Sequence, residues 1–357
     1  MIGHHMTTAQ DSPDSSFSES SDETDHHIPT TMRAVGRADY GEPEDLGLME
    51  VDVPSVEANQ VLVRMHASSV NPLDWHFCTG TPMFMRLMAG VRRPKQPIRG
   101  ADFAGEVVAV GSAVARFSVG DRVFGEGASA WADYMAINEK GIAAIPEGVS
   151  SVDAAASPVA ALTALQAIRD WGEFKPGQSV LVNGASGGVG VYAVQIAKAL
   201  GASEVVGVCS GRNSEMVLGL GADRVIDYTS EDFTKTAGSY DVFIDNIGHA
   251  SLGTSLGVVN NEGAYVMVSG KKGKFVRPVP RMIGAMIRNV FTKKRLAGGT
   301  ARADANDLEQ IAGWIADGTI KTVVDRTFAL EDAPEGLAYL ATSRTRGKNI
   351  ITVEPMV

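Results

Sequence analysis

The chain has few of the residues that make stapled, metal-knotted or membrane-spanning proteins. Of its 357 residues only two are cysteine, Cys78 and Cys209, and they lie far apart. No disulfide framework and no cysteine-rich zinc cluster can be built from them, so a reducing, cytoplasmic setting is expected. No run of about eighteen apolar residues occurs, which leaves no helix to span a bilayer. Positive charge is also short, with 32 Lys and Arg against 42 Asp and Glu and a net charge of −10. Such a balance argues against general nucleic-acid binding. Apolar residues are scarce from Met1 to about Thr31, where Ser, Asp, Glu and Thr dominate. This segment reads as a disordered acidic tail and lacks the basic start and apolar centre of a signal peptide. Beyond it the composition is that of a globular protein, and the length suggests two domains.

The chain does have a glycine-rich stretch with informative neighbours. Val180-Leu181-Val182 reads as a buried strand, Asn183 to Gly190 as a small-residue turn, and Val191 to Leu200 as a helix packing Ala, Val and Ile inward. That strand–turn–helix order is the context a dinucleotide fingerprint needs. The turn contains Ala185, Ser186, Gly187, Gly188, Val189 and Gly190, with Ala185 standing where a first glycine is usual. In this reading Gly187 lets the backbone approach a pyrophosphate, and Gly190 lets the helix sit close on the strand. The helix N-terminus offers N–H groups and partial positive charge to the phosphates. A tight turn with no ligand is the plainer alternative.

On either side the pattern differs. From Met32 to about Pro146, short β-like runs such as Val61–Met65, Glu106–Val110 and Asp121–Phe124 alternate with turn residues, as in a barrel-like domain. Thr81 to Pro97 interrupts it, first Met-rich and then basic. It can be a surface helix covering the barrel, an adaptable apolar lid over a substrate cleft with Met85 and Met88 lining it, or an interfacial membrane contact. Packing is the first choice and membrane contact the last. A second apolar–basic cluster runs from Arg281 to Arg295. After a helix at Ser157–Trp171, strands at Glu204–Val208, Arg224–Ile226, Asp241–Ile244 and Ala264–Val268 alternate with helical stretches. That alternation is the signature of a doubly wound parallel sheet. A helix at Pro280–Val290 and an edge strand at Arg295–Ala297 follow. Helices at Asp304–Ala316 and Glu331–Ala341, with strands near Thr327 and at Asn349–Val353, would return to the first domain.

Several segments in order resemble one family. Ser69-Val70-Asn71-Pro72-Leu73-Asp74 is similar to the VNPxD segment of zinc-free medium-chain dehydrogenases/reductases. Gly100 to Val107 resembles their GxDxAGxV, Gly120-Asp121-Arg122-Val123 their GDRV, Leu181–Gly190 their VxGAxGGVG, and Gly221-Ala222-Asp223 their LGAD. The resemblance covers nearly all of the chain after the tail and is nearest to the quinone oxidoreductase-like, ζ-crystallin-type subgroup. It implies an α/β protein: a tail at 1–31, a β-rich GroES-like barrel catalytic domain at 32–156 and 301–357, and a Rossmann domain at 157–300. It further implies NADPH as reductant and a homodimer, for which the Arg295–Ala297 edge is the candidate interface.

The residues refine these expectations. An NAD-specific site places Asp or Glu at the end of the second strand, about twenty residues past the glycines. Here Cys209 takes that place, and Ser210, Gly211, Arg212, Asn213 and Ser214 follow. A cation and hydrogen-bond donors with no adjacent acid suit a 2′-phosphate, although the same residues would also make an ordinary polar turn. Cys209 reads as a small strand-end residue. For zinc, Gly100-Ala101-Asp102 falls where zinc-dependent relatives carry Gly-His-Glu, and Cys78, His66 and His76 match no ligand spacing, so no metal is expected. Without a Lewis acid the acceptor must already be electrophilic: a small apolar quinone or α,β-unsaturated carbonyl. The resemblance places Asn71 beside the nicotinamide and acceptor; on local grounds it could equally be a turn residue before Pro72. Asp74 could orient it or cap a helix. His76 falls where ζ-crystallin-like sequences carry a Tyr, and could donate a proton or have no role. Trp75 could stack on a flat substrate or fill the barrel. Asn246, Gly248, Ser269 and Gly270 follow strands at their C-terminal ends, where ligands of open α/β sheets bind. Lys348, in a segment resembling the family's GKxV, is expected to reach cofactor phosphates. An enoyl-thioester reductase, or an NADPH-binding protein without turnover such as a crystallin or adaptor, are the alternatives.

Overall fold

The computed structural model describes residues 28–269 and 292–353. Most of the acidic tail, the expected helix at Pro280–Val290, Gly270 and the greater part of the Arg281–Arg295 cluster lie outside these residues.

The first lobe opens with β1 (Thr31–Gly36) antiparallel to β2 (Gly47–Asp52). Its main sheet follows: β3 (Gln60–Val70), β4 (Asp102–Val110), β5 (Arg122–Glu126), β6 (Tyr134–Asn138) and β7 (Ile142–Ala144). Between β3 and β4 come α1 (Pro72–Thr79) and one turn of helix, α2 (Arg86–Ala89). Two strands from the far end of the chain, β14 (Val324–Ala329) and β15 (Lys348–Thr352), complete this sheet in the order β14-β15-β3-β4-β5-β7, with β6 on β3. The return of the C-terminal strands to the first lobe is therefore seen in the ladder itself, since β15 runs antiparallel to β3. Inside the sheet, Val61, Val63, Met65, Phe103, Val107 and Trp131 make a wholly apolar core.

Helices α3 (Ser151–Ala156) and α4 (Pro158–Gln166) lead into the second lobe. Its six strands lie in the order β10-β9-β8-β11-β12-β13, all pairs parallel. They are β8 (Ser179–Asn183), β9 (Glu204–Cys209), β10 (Arg224–Asp227), β11 (Tyr240–Asp245), β12 (Val259–Met267) and β13 (Arg295–Gly298). The intervening helices are α5 (Gly188–Ala199), α6 (Ser214–Gly219), α7 (Phe233–Thr236) and α8 (Leu252–Gly257); α9 (Ala305–Ala316) and α10 (Ala333–Ala341) belong to the return path. The central strands are nearly continuous runs of Val, Leu and Ile because helices cover both faces. Among the described residues β13 pairs only with β12, so it stands at the sheet edge where the sequence places it.

Three elements differ from expectation. The helix expected over Ser157–Trp171 is α only to Gln166 and finishes as a π turn over Ala167–Trp171. Strand β12 begins at Val259, not Ala264, because its polar opening Asn260-Asn261-Glu262 faces outward at the end of the ladder. The Thr81–Pro97 segment is not an extended helix. Pro82 precedes a 3-10 turn at Met83–Met85, and Gly90, at φ 127°, ends α2. Tyr40 pins the segment, donating from its hydroxyl to the Gly90 carbonyl at 2.5 Å while the Arg86 guanidinium lies 4.4 Å over its ring. Met83 and Leu87 are exposed and Met85 is half-buried.

Close approach of α5 to β8 depends on Gly190. A Cβ there would fall on the Gly184 carbonyl oxygen and within 2.7 Å of the Ala185 Cα. Backbone cannot yield as a flexible side chain can. Gly190→Ala should therefore cost about 1–3 kcal/mol in overpacking, read as a lowered Tm, together with weakened dinucleotide binding. An unchanged Tm would show that the helix can shift without loss.

Candidate functional site

The glycine-rich turn leaves β8 with the Gly184 and Ala185 amides both donating to the Val208 carbonyl at 3.0 Å. Ala185 is wholly buried, and its methyl fits because Gly207 on β9 has no side chain; a Cβ at Gly207 would lie 3.0 Å from it. Gly187 caps α5, and a Cβ there would meet nothing nearer than 3.5 Å, so this side of the turn is open. Ser186, Gly188 and Val189 are half-buried around it. The unpaired amides of the first turn of α5 face an anion's natural position.

Two buried oxygens at this crevice have no hydrogen-bond partner: Asn213 Oδ1 and Asn246 Oδ1. Their amide nitrogens are fixed, Asn213 Nδ2 donating to Ser186 Oγ at 3.0 Å and Asn246 Nδ2 to the Asn183 carbonyl at 3.1 Å. Such orphaned acceptors fit the hydroxyls and carboxamide of a dinucleotide. The Asn246 loop is held from below by Asp245, whose carboxylate accepts from Asn183 Nδ2, the Ile247 and Gly248 amides and the Tyr265 hydroxyl at 2.8–3.1 Å. Gly248 is buried and Ser269 exposed, its amide donating to the Asp245 carbonyl at 3.4 Å.

After β9, Ser210 is half-buried and Arg212 is exposed, with Nη2 donating to the Arg344 carbonyl at 3.4 Å. The loop before β15 thus brings Arg344 beside Arg212, while the Arg346 guanidinium reaches Met216 Sδ at 4.0 Å. The expectation that no acid stands near this turn is corrected. Asp227, at the end of β10, lies so close to Gly211 that a Cβ there would be 2.5 Å from Asp227 Oδ2. Hydrogen bonds from Thr229 hold this carboxyl below the usual range. Burial pushes the Cys209 thiol up to about 11, as suits an inert strand-end residue.

The second cluster centres on Asp102, which is fully buried at the start of β4. Its Oδ2 accepts from Ser69 Oγ at 2.5 Å, Asn71 Nδ2 at 2.8 Å and Lys348 Nζ at 3.1 Å; its Oδ1 accepts the Val159 amide of α4 at 2.8 Å. Four donors fill the capacity of a carboxylate. Asn71 accepts from Lys348 Nζ at 2.5 Å through its Oδ1, and its own amide donates to Asp74 Oδ2 at 2.7 Å. Asp74 therefore orients Asn71 through the backbone, at the start of α1. Burial pushes the Asp74 carboxyl up to about 7, against the lowering effect of the Asn71 amide.

Lys348 requires a correction. Only 2 % exposed, it aims its ammonium at Asn71 and Asp102, not outward to phosphates. Its stem passes the turn, with Cδ 3.3 Å from where a Gly188 Cβ would be, and the preceding Gly347 amide donates to the Ser186 carbonyl at 2.9 Å. The same short segment thus ties the glycine-rich turn to Asn71.

His76 is half-buried, and its Nδ1 lies 2.6 Å from the Thr81 carbonyl, which fixes the proton on Nδ1. The neutral ring then has no proton on Nε2 to give, so only the imidazolium could act as a donor there. Trp75 packs on the barrel core and meets His76 edge-on at 5.4 Å, which favours filling over stacking. The Met88 side chain lies outside the described atoms. Cys78, His66 and His76 do not converge: Cys78 Sγ points to the Gly41 carbonyl and His66 Nδ1 to Ser151 Oγ. No group of three His, Cys, Asp or Glu among the described residues could hold a metal ion.

The sequence motif contains Asp102 but assigns neither it nor Asp245 a role in the site. The available signal was an acid embedded in an apolar strand, where a charge persists only if it is paired.

The chain is similar to known proteins over most of its length. The alcohol dehydrogenase GroES-like domain profile matches residues 57–147 and the zinc-binding dehydrogenase profile residues 220–351. A chloroplastic quinone-oxidoreductase homolog of Spinacia oleracea is 32% identical over 90% of this chain and 98% of its own length. A 2-methylene-furan-3-one reductase of Solanum lycopersicum is 32% identical over 91% of this chain and 80% of its own. The solved quinone oxidoreductase of Coxiella burnetii superposes with a TM-score of 0.80 at 29% identity, over 91% of this chain and all of that one.

The buried Asp74 yields a pH test. Its folded carboxyl titrates near 7, above the unfolded range. The stability of the protonated form is fully present below about pH 4 and is lost as pH rises through about 7. Asp74→Asn keeps the neutral shape. The wild-type Tm should fall relative to that variant between about pH 4 and 7; parallel Tm curves would refute the assignment.

Proposed function

The chain belongs to the medium-chain dehydrogenase/reductase family, in its quinone oxidoreductase-like branch, and from this premise we propose a zinc-independent reductase that passes hydride from NADPH to a small quinone or α,β-unsaturated carbonyl. One observation carries the reading: the Asn71–Lys348–Asp102 cluster is joined through Gly347 to the dinucleotide turn. Bound NADPH would supply the hydride. Ser186, Asn213 and Asn246, with the amides of α5, would hold the dinucleotide; Ser210 and Arg212, with Arg344 nearby, favour a 2′-phosphate despite Asp227. At the other end, Asn71 Nδ2 and Lys348 Nζ each have one more hydrogen than Asp102 and Asn71 use. These donors are held rigidly in a buried setting, where they suit the oxyanion that develops as an acceptor takes hydride. An acceptor that is already electrophilic needs no more than this, and none of the described residues assemble a zinc site.

The test is oxidation of NADPH with a panel of quinones and enones, with and without a chelator. Turnover that survives chelation is expected. NADPH should bind at least about tenfold more tightly than NADH, or 1.4 kcal/mol, with Arg212→Ala losing NADPH affinity and sparing NADH. Equal affinity for both cofactors, or zinc-dependent turnover, would sink the proposal.

The assembly we propose is a homodimer through the open edge of β13, whose unpaired backbone groups a two-fold mate could satisfy. Light scattering at micromolar concentration should give the mass of two chains. A single-chain mass would refute it.

A further inference from the structure

We propose that Glu126 is the acid that delivers the proton completing reduction of an α,β-unsaturated carbonyl. This deepens the function proposed above and rests on it.

Glu126 is the last residue of β5 and pairs directly with Asp102 across the antiparallel ladder. Directly opposed residues point to the same face, with Cβ atoms about 5 Å apart. The preceding pair on that face, Ala104 and Phe124, is sealed in the apolar core beneath α3 and α4. Glu126 itself is only partly covered, so this face emerges from under the helices where Asp102 meets Asn71 and Lys348. The strand end is anchored there by the Gly127 amide donating to the Ala101 carbonyl at 2.7 Å.

The two carboxyls have opposite fates. Asp102 receives four hydrogen bonds, three on Oδ2 and one on Oδ1, and is committed to positioning its neighbours. Glu126 Oε2 is buried with no hydrogen-bond partner. Burial first, and then the Asp102 charge, push the Glu126 carboxyl up to about 7. Asp102 is the charged group facing it; Lys348 and Asp74 lie beyond, around Asn71. A carboxyl of this kind holds a proton near neutrality and gives it up readily, as a general acid must.

The step balances as follows. Once the acceptor has taken hydride at its β-carbon, the displaced π pair makes an enolate. The Glu126 O–H bond breaks, its proton forms the new C–H bond at the α-carbon, and the carboxylate left behind is reprotonated from water.

Three readouts test this on the intact protein. Carboxyl infrared titration of the free protein should show two protonated bands lost with midpoints near 7, from Asp74 and Glu126, and Glu126→Gln should remove one and Asp74→Asn the other. With an enone, Glu126→Gln should lower kcat about 100-fold and flatten the limb of the pH profile near neutrality, while NADPH affinity stays unchanged. In D₂O an α-substituted enone should give one α-epimer with wild type and a mixture with the variant, and Glu126→Asp should restore part of the rate. If wild type turns over enones and Glu126→Gln matches it in rate, pH profile and product stereochemistry, Glu126 is not the acid. If wild type reduces quinones but not enones, the Glu126 proposal is overturned and the functional reading stands; if it reduces neither, the functional reading fails, and the infrared titration still decides whether Glu126 holds a proton.

Discussion

The ion pair between Lys348 and Asp102 is the constraint on which the rest of the structure turns. Both side chains are 2 % exposed or less, so neither charge is solvated by water. A buried pair of this kind is tolerable only where further hydrogen bonds fill the remaining sites, and loss of one partner typically costs about 3–5 kcal/mol. Here Ser69, Asn71 and the Val159 amide complete the shell of Asp102. These donors come from β3, from the entry to α1 and from the start of α4, whose N-terminal partial charge also favours the anion. One carboxylate therefore fixes two strands, two helix starts and, through Lys348, the last strand of the chain.

Asp245 repeats the device in the other sheet, at the end of β11. Its donors hold the Asn246–Gly248 loop as Asp102 holds Asn71. In both cases an acid at a strand end positions the segment that carries a neighbouring Asn side chain, the one proposed above to meet the ligand. Glu126, whose Oε2 has no such shell, is the carboxyl left to hold a proton.

The sequence made the fold legible wherever periodicity and turn chemistry agreed. The run Val180–Gly190, the alternation of strands and helices to Val268, and the return of the C-terminal strands are all local patterns repeated in order. What stayed hidden depends on contacts between distant segments. Asp102 and Lys348 are 246 positions apart, and nothing in either neighbourhood reveals that they meet. For the same reason Lys348 was expected to reach phosphates, and Asp227 was not expected beside Gly211. The Thr81–Pro97 pattern misled in another way, since its apolar residues suggested a helix that Pro82 and Gly90 cut to a single turn.

The position of Lys348 has a mechanical consequence. Gly347, just before it, has a φ of 73° and its missing Cβ would run into the Val323 carbonyl. No other residue fits there without moving the backbone. Its amide is bonded to Ser186 in the dinucleotide turn, while the next side chain is bonded to Asn71 and Asp102. The turn and the ammonium that fixes Asn71 are thus one residue apart along the chain. In the proposed function, the Gly347–Lys348 dipeptide would link the acceptor side to the dinucleotide turn.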